Sequence, residues 1–285
     1  MATSCQTLVD RVRRFMRDWP DEDALTASAS SSATSLTVAT DATTRYGTGW
    51  YLEVDSEVVR TTAVAATTLT VQRARRGTTA ATHASSATIL VRPHFFQNEI
   101  VDALNLALES SFPAFYRPVI DETLTTTAGT YEYEVPDMPS DTTMKIPYIS
   151  KLFVQETGDT AFRETRAWEI QRGDEPKIKF RREPVIGTLR VHGYGPFPAL
   201  TLAGSLHDLF PRQGEGLLVE FAASWLMASG EAGRVRVDRG ATDQREQANV
   251  AGSSMRASQA LFNRFLQRRS DAAMPPLPRH VKSVV

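Results

Sequence analysis

Glu53, Asp55 and Glu57 occupy alternate positions. On a strand they share one face, an arrangement from which oxygen ligands converge on a hard cation. The same spacing is common on exposed sheets, so a solvated strand face is the preferred reading. His83, His94, His192, His207 and His280 are scattered without ligand spacing. Cys5 is the only cysteine, which excludes an intrachain disulfide and a multi-thiolate zinc site. The chain has no glycine loop ending in Gly-Lys-Ser or Gly-Lys-Thr, no His-Glu-x-x-His and no Gly-x-Ser-x-Gly elbow. These observations name no catalytic group, no cofactor and no metal ligand, and they predict a chain that is not an enzyme.

Periodicity indicates the elements that must carry these residues. Leu8, Val12, Phe15, Met16 and Trp19 recur at helical spacing, with Arg11, Arg13, Arg14 and Arg17 opposite and Pro20 closing the run. Residues 24–92 turn to Ala, Ser and Thr around β-type runs. Leu52 and Val54 there alternate with Glu53 and Asp55, and Leu69 and Val71 with Thr68 and Thr70. Ala65-Ala66 is read as the hairpin connection. Ile100, Leu104 and Leu108 share a face of a second helix between Pro93 and Pro113. Period two returns in Tyr131, Tyr133 and Val135, in Leu152 and Val154, in Ile178 and Phe180, and in Leu189 and Val191, while 162–171 suits either a strand or a short helix. Two later stripes, Leu217, Leu218, Phe221, Trp225 and Leu226, then Met255, Leu261, Phe262, Phe265 and Leu266, are helical. The expected fold class is α+β: a four-helix body with two inserted small antiparallel β domains and an extended C-terminal tail. The body takes residues 1–23, 93–120 and 204–270, the β domains 24–92 and 121–203, and the tail 271–285.

A length of 285 residues suggests about two domains, or one domain with insertions. With 41% hydrophobic residues, 23% charged residues and a net charge of −1, the composition is that of a soluble globular chain whose global charge names no partner. No secretory signal and no long apolar run is present, so assembly in a cytoplasm without membrane contact is expected.

The run Trp-Tyr-Leu-Glu-Val-Asp-Ser-Glu-Val-Val-Arg at 50–60, followed by Thr68 to His83 with Thr-Leu-Thr-Val, Arg75-Arg76-Gly77, Ala80 and His83, resembles a β module common in phage virion proteins. Adding Asn98 to Leu108 and the Tyr-Glu-Tyr-Glu-Val-Pro at 131–136 widens the likeness. The chain is similar to head-to-tail connector, or adaptor, proteins of tailed bacteriophages. The smallest of these lack the β domains.

The resemblance implies a noncatalytic ring subunit, commonly of twelve copies, in the neck of a virion assembled in the host cytoplasm. Its partners would be the portal protein, neighbouring copies, a tail, stopper or tail-terminator protein, and genomic DNA touched transiently and nonspecifically in the channel. The alternatives are another tail or head-completion structural protein, or a sequence-independent DNA-binding protein. A cell-wall-degrading enzyme would need a paired acid and base that the sequence does not name. Such adaptors often send a C-terminal extension into the portal, which makes Pro275, Pro276, Leu277, Arg279, Val281, Val284 and Val285 the expected portal-docking residues. Arg73, Arg75 and Arg76, with Lys177, Lys179, Arg181 and Arg182, are the expected channel or intersubunit cations. Residues 234–239 form a further basic cluster.

Overall fold

The structure, a computed structural model, describes residues 2–38, 41–139, 141–173, 175–238, 244–275 and 282–283; of 230–238, 244–255 and 282–283 it describes the backbone alone. Helix α1 (Cys5–Met16) starts at Ser4, whose hydroxyl accepts from the Thr7 amide and so satisfies one of the first-turn donors. It buries Leu8, Val9 and Val12. Arg17 turns left-handed at φ 57° and stops the helix before the apolar stripe is complete. Phe15 and Trp19 consequently stand 42% and 71% exposed.

The next region forms β1 (Asp21–Ala24), β2 (Ser35–Thr37), the short helix α2 (Ala42–Arg45), then β3 (Tyr51–Val54), β4 (Glu57–Ala65), β5 (Thr68–Arg75) and β6 (Thr88–Val91). They make one antiparallel sheet in the order β1-β6-β3-β4-β5-β2. The sheet curls into a half-barrel until its two edges meet, where Leu25 after β1 bridges Val38 after β2. Curling turns the alternate apolar residues inward, and Leu36, Leu52, Val54, Val59, Leu69 and Ile89 fill the interior.

Helix α3 (Gln97–Ser111) leads into a second β region of β7 (Arg117–Thr126), β8 (Glu132–Glu134), β9 (Asp137–Met138), β10 (Asp141–Lys145), β11 (Tyr148–Glu156), β12 (Arg163–Thr165), β13 (Trp168–Gln171), β14 (Lys177–Phe180) and β15 (Gly187–Gly195). One sheet runs β12-β11-β15-β7, a second runs β13-β14-β8, and β9 pairs with β10. Val119, Ile149, Leu152, Leu189 and Val191 from the first meet Tyr133, Trp168, Ile178 and Phe180 from the second in one core, as in a sandwich. Helices α4 (Arg212–Asp238) and α5 (Gln244–Ala272) follow, and β16 (Lys282–Ser283) pairs with Tyr148 and Ile149 of β11.

The expected four-helix body with small β insertions is overturned. Strands in four antiparallel sheets dominate the described residues. Each β region builds a core of its own, so neither hangs on a helical body for its burial. The helices meet in a third cluster, where Leu8, Ile100, Leu104, Leu217, Phe221 and Phe265 join Phe115, Phe197 and Phe210 from loops. Several boundaries also move. The curled sheet starts at Asp21, residues 162–171 divide between β12 and β13, and the turn between β4 and β5 is Ala66-Thr67. At the start of the C-terminal segment Met274 donates its amide to Ala114 O at 2.9 Å and the Tyr116 hydroxyl donates to Pro275 O at 2.8 Å.

Gly187 shows how closely β11 and β15 approach, since a Cβ there would lie 1.8 Å from the Gln155 backbone oxygen. Gly187→Ala should lower stability by about 1–3 kcal/mol. Gly173→Ala, with nothing within 4 Å of the added carbon, should leave it unchanged, as urea unfolding of both variants will check.

Candidate functional site

The motif that carried the resemblance closes on itself. Between Val58 and Arg60 the pairing with β5 shifts register, and Ala74 takes φ 52°. Such a bulge re-aims a side chain. Here it brings Arg73 to Glu57, the pair leaving 8% and 1% of their side chains exposed. Arg73 donates Nε to Glu57 Oε1 at 2.8 Å and Nη2 to Oε2 at 2.6 Å. Its Nη1 donates to Ser30 O and Ala33 O, and Nη2 donates also to Ala81 O. All donors of the guanidinium are therefore used. Glu57 further accepts from the amides of Ala74 and Ala81, both at 2.9 Å. His83 lies between two carboxylates, with Nε2 3.0 Å from Glu57 Oε2 and Nδ1 2.7 Å from Asp55 Oδ2. Neither ring nitrogen is left for a metal or a substrate proton. Burial pushes the Glu57 carboxyl up, but the bonds from Arg73, Ala81, Ala74 and His83 outweigh it and hold the group at about 2.

Glu53 forms a second joint, between the curled sheet and two helices. It accepts from Arg13 Nη2 at 2.9 Å and from the Gln97 amide at 2.8 Å, at the start of α3. Burial pushes its carboxyl above the usual range despite the opposing pull of Arg13 and Gln97. The solvated face expected for Glu53, Asp55 and Glu57 is thus corrected. The β3–β4 hairpin turns at Asp55, φ 53°, so the three carboxylates do not share one strand. Glu53 and Glu57 are buried and only Asp55 is exposed. No group of three metal-ligating side chains comes together among the described residues.

An open cleft of about 1020 Å³ lies where the curled sheet meets the ends of α1 and α3. Arg17, Arg45, Arg76 and Arg92 line it with Trp19, Trp50, Tyr51 and Phe96. The guanidinium of Arg92 sits 4.6 Å from the Trp50 ring centre. That of Arg76 lies 4.9 Å from Tyr51 and 4.8 Å from Phe96. Arg45 is paired with Asp23 at 3.5 Å and Arg76 with Glu99 at 3.0 Å, while neither Arg17 nor Arg92 has a carboxylate partner among the described residues. Neither a family model nor a curated protein matches the chain.

A second opening, an apolar groove of about 460 Å³, runs between α3, α4 and α5. Leu106, Phe221, Trp225, Phe262, Phe265 and Leu266 line it. Of the apolar stripes on α4 and α5, Trp225 is 51% exposed and Phe262 and Leu266 each 39%. Leu217, Leu218, Phe221 and Leu226 of α4 and Phe265 of α5 are buried in the helical cluster.

The residues expected at function's surface do not converge. Arg73 is interior, its guanidinium committed to Glu57 and to three backbone carbonyls. Arg75 donates to Gln72 at 2.6 Å and Arg76 belongs to the cleft. Lys179 pairs with Glu132 at 3.2 Å and Arg181 with Glu169 at 3.2 Å, beside Lys177 and the exposed Arg182, all on or next to β14 of the sandwich. Of the expected portal-docking residues, Pro275 is an acceptor for Tyr116; Pro276, Leu277, Arg279, Val281, Val284 and Val285 lie outside the described residues, as do the side chains at 234–239. Sequence reasoning missed Arg17, Arg92 and Trp19 as neighbours, because left-handed turns at Arg17 and Arg92 bring them together and no periodicity encodes that.

Removing one partner of a buried ion pair costs about 3–5 kcal/mol, so Glu57→Gln should destabilise the curled sheet on that scale at pH 7. A carboxyl held low stabilises the fold fully above its unfolded value of about 4.3 and loses that contribution as pH falls through about 2. The gap between wild type and Glu57→Gln in urea unfolding should therefore narrow below about pH 4. Arg73→Lys, which keeps charge but loses the fork, should also destabilise.

Proposed function

We propose that this chain is a noncatalytic virion structural protein, a head-to-tail adaptor subunit that docks beneath a portal in a ring, continues the DNA channel and recruits the tail. The exposed apolar groove of α3, α4 and α5 carries the reading. A half-exposed tryptophan beside exposed Phe262 and Leu266 gains nothing in a monomer, whereas a neighbouring copy or a portal would take it out of water. Asp55, His83 and Glu57, which have the residue types of an acid–base site, are consumed in holding the curled sheet, which favours a structural role. No helix among the described residues is long and apolar enough to cross a membrane.

The partners on this reading are the portal protein, copies of the same chain and a tail, stopper or tail-terminator protein, with DNA contact confined to passage through the lumen. Mixed with the portal protein of its own virus, the chain should form a defined ring visible by electron microscopy, and alone it should bind free duplex DNA poorly. Trp225→Asp should abolish the ring while leaving the circular dichroism of the isolated chain intact. Undiminished rings from that variant, or tight salt-sensitive binding to duplex without a portal, would overturn the proposal.

A further inference from the structure

The cleft between α1, α3 and the curled sheet groups four arginines with Trp19, Trp50, Tyr51 and Phe96. Trp19 is 71% exposed on its wall, and exposed aromatic side chains grouped with arginine are characteristic of contact centres. Arg92 lies against Trp50, so the indole covers one face of its guanidinium; the in-plane N–H groups, which match an oxyanion two at a time, are not tied to any carboxylate. Arg17 is likewise uncommitted. Asp18, the nearest carboxylate in sequence to Arg17, is buried and accepts from the amides of His94 and Phe95 at 3.3 and 3.5 Å, which fixes the strand-to-helix linker that forms the floor. The cleft is thus a rigid recess offering two unpaired guanidiniums and two indoles.

We propose that this cleft binds an extended acidic segment of a partner protein, whose carboxylates engage Arg17 and Arg92 while an apolar residue beside them packs on Trp19 and Trp50. The wall chemistry selects this occupant over a nucleic acid. Asp21 lines the same cleft and Glu22 is exposed next to it, while Arg45 and Arg76 are already neutralised by Asp23 and Glu99. A strand carrying a phosphate at every nucleotide would meet these carboxylates; a peptide can place its charges at the two open cations alone. The site stands on the cleft's own geometry and does not require a ring or a portal.

The test uses the full chain and three fluorescein-labelled probes: an acidic octapeptide, Ser-Glu-Asp-Pro-Leu-Asp-Glu-Ser; its amide counterpart, Ser-Gln-Asn-Pro-Leu-Asn-Gln-Ser; and a deoxythymidine octamer. Fluorescence anisotropy should show saturable binding of the acidic peptide, accompanied by a shift in tryptophan emission, with the amide counterpart weaker by about tenfold or more. Arg17→Gln and Arg92→Gln should each weaken the acidic peptide by roughly fivefold or more, and Trp19→Ala, at a side chain that stands in water, should weaken it without touching the fold. Arg14→Gln, on the same helix but outside the cleft, should bind as wild type. The proposal fails if no acidic peptide binds, if the oligonucleotide binds as tightly as the peptide, if the cleft variants bind as wild type, or if sedimentation shows the cleft blocked by a second copy of the chain.

Discussion

A carboxylate and a guanidinium taken out of water each lose several kcal/mol of hydration, and the loss is recovered only when every donor and acceptor finds a partner. Glu57 and Arg73 meet that condition through one another, through the amides of Ala74 and Ala81, and through three carbonyls of the loops around Ser30 and Ala81. Those loops have little regular structure of their own, so the ion pair determines where they lie. His83 adds a backbone bridge to Ala29 and a side-chain link to Asp55, which ties the hairpin turn into the same unit. The curl of the sheet, and with it the position of Trp50, Tyr51 and Arg76 at the cleft, follows from this arrangement.

Glu53 forms a less complete joint to the helices, since Arg13 Nε there is buried without a hydrogen-bond partner. Because Arg13 of α1 and the first amide of α3 converge on one buried carboxylate, the curled sheet cannot tilt freely against the helical cluster. A cleft formed at that junction is therefore preorganised, which lowers the ordering cost of any segment that enters it. The sandwich is built around an apolar core of its own.

The alternation of Leu52, Val54, Leu69 and Val71 is legible as buried strand faces, and the Ile100, Leu104 and Leu108 stripe as a buried helix face. What periodicity cannot supply is the point where it breaks. The turn at Asp55 divides three carboxylates that look equivalent in sequence, and the left-handed Arg17 strands Trp19 outside the core. Extrapolating four apolar stripes to one helical body also ignored that each β region is long enough to close a core unaided. The Arg73 to Arg76 run shows the limit most clearly, since adjacent arginines of one type become an interior clamp and a stacked cleft residue. Which is which depends on a bulge that no composition reveals.

In the most recognisable motif of this chain, Glu57 and Arg73 clamp the loops around the curled sheet. Native-state hydrogen exchange at the Ala74 and Ala81 amides reads this directly, since both donate to Glu57 and neither belongs to a regular ladder bond of its own. In the wild type both amides should exchange as slowly as those of Leu52 and Val59 in the sheet core, and in Glu57→Gln both should exchange through local opening while Leu152 in the sandwich stays protected. Fast exchange of Ala74 and Ala81 in the wild type, or unchanged protection in the variant, would contradict the claim.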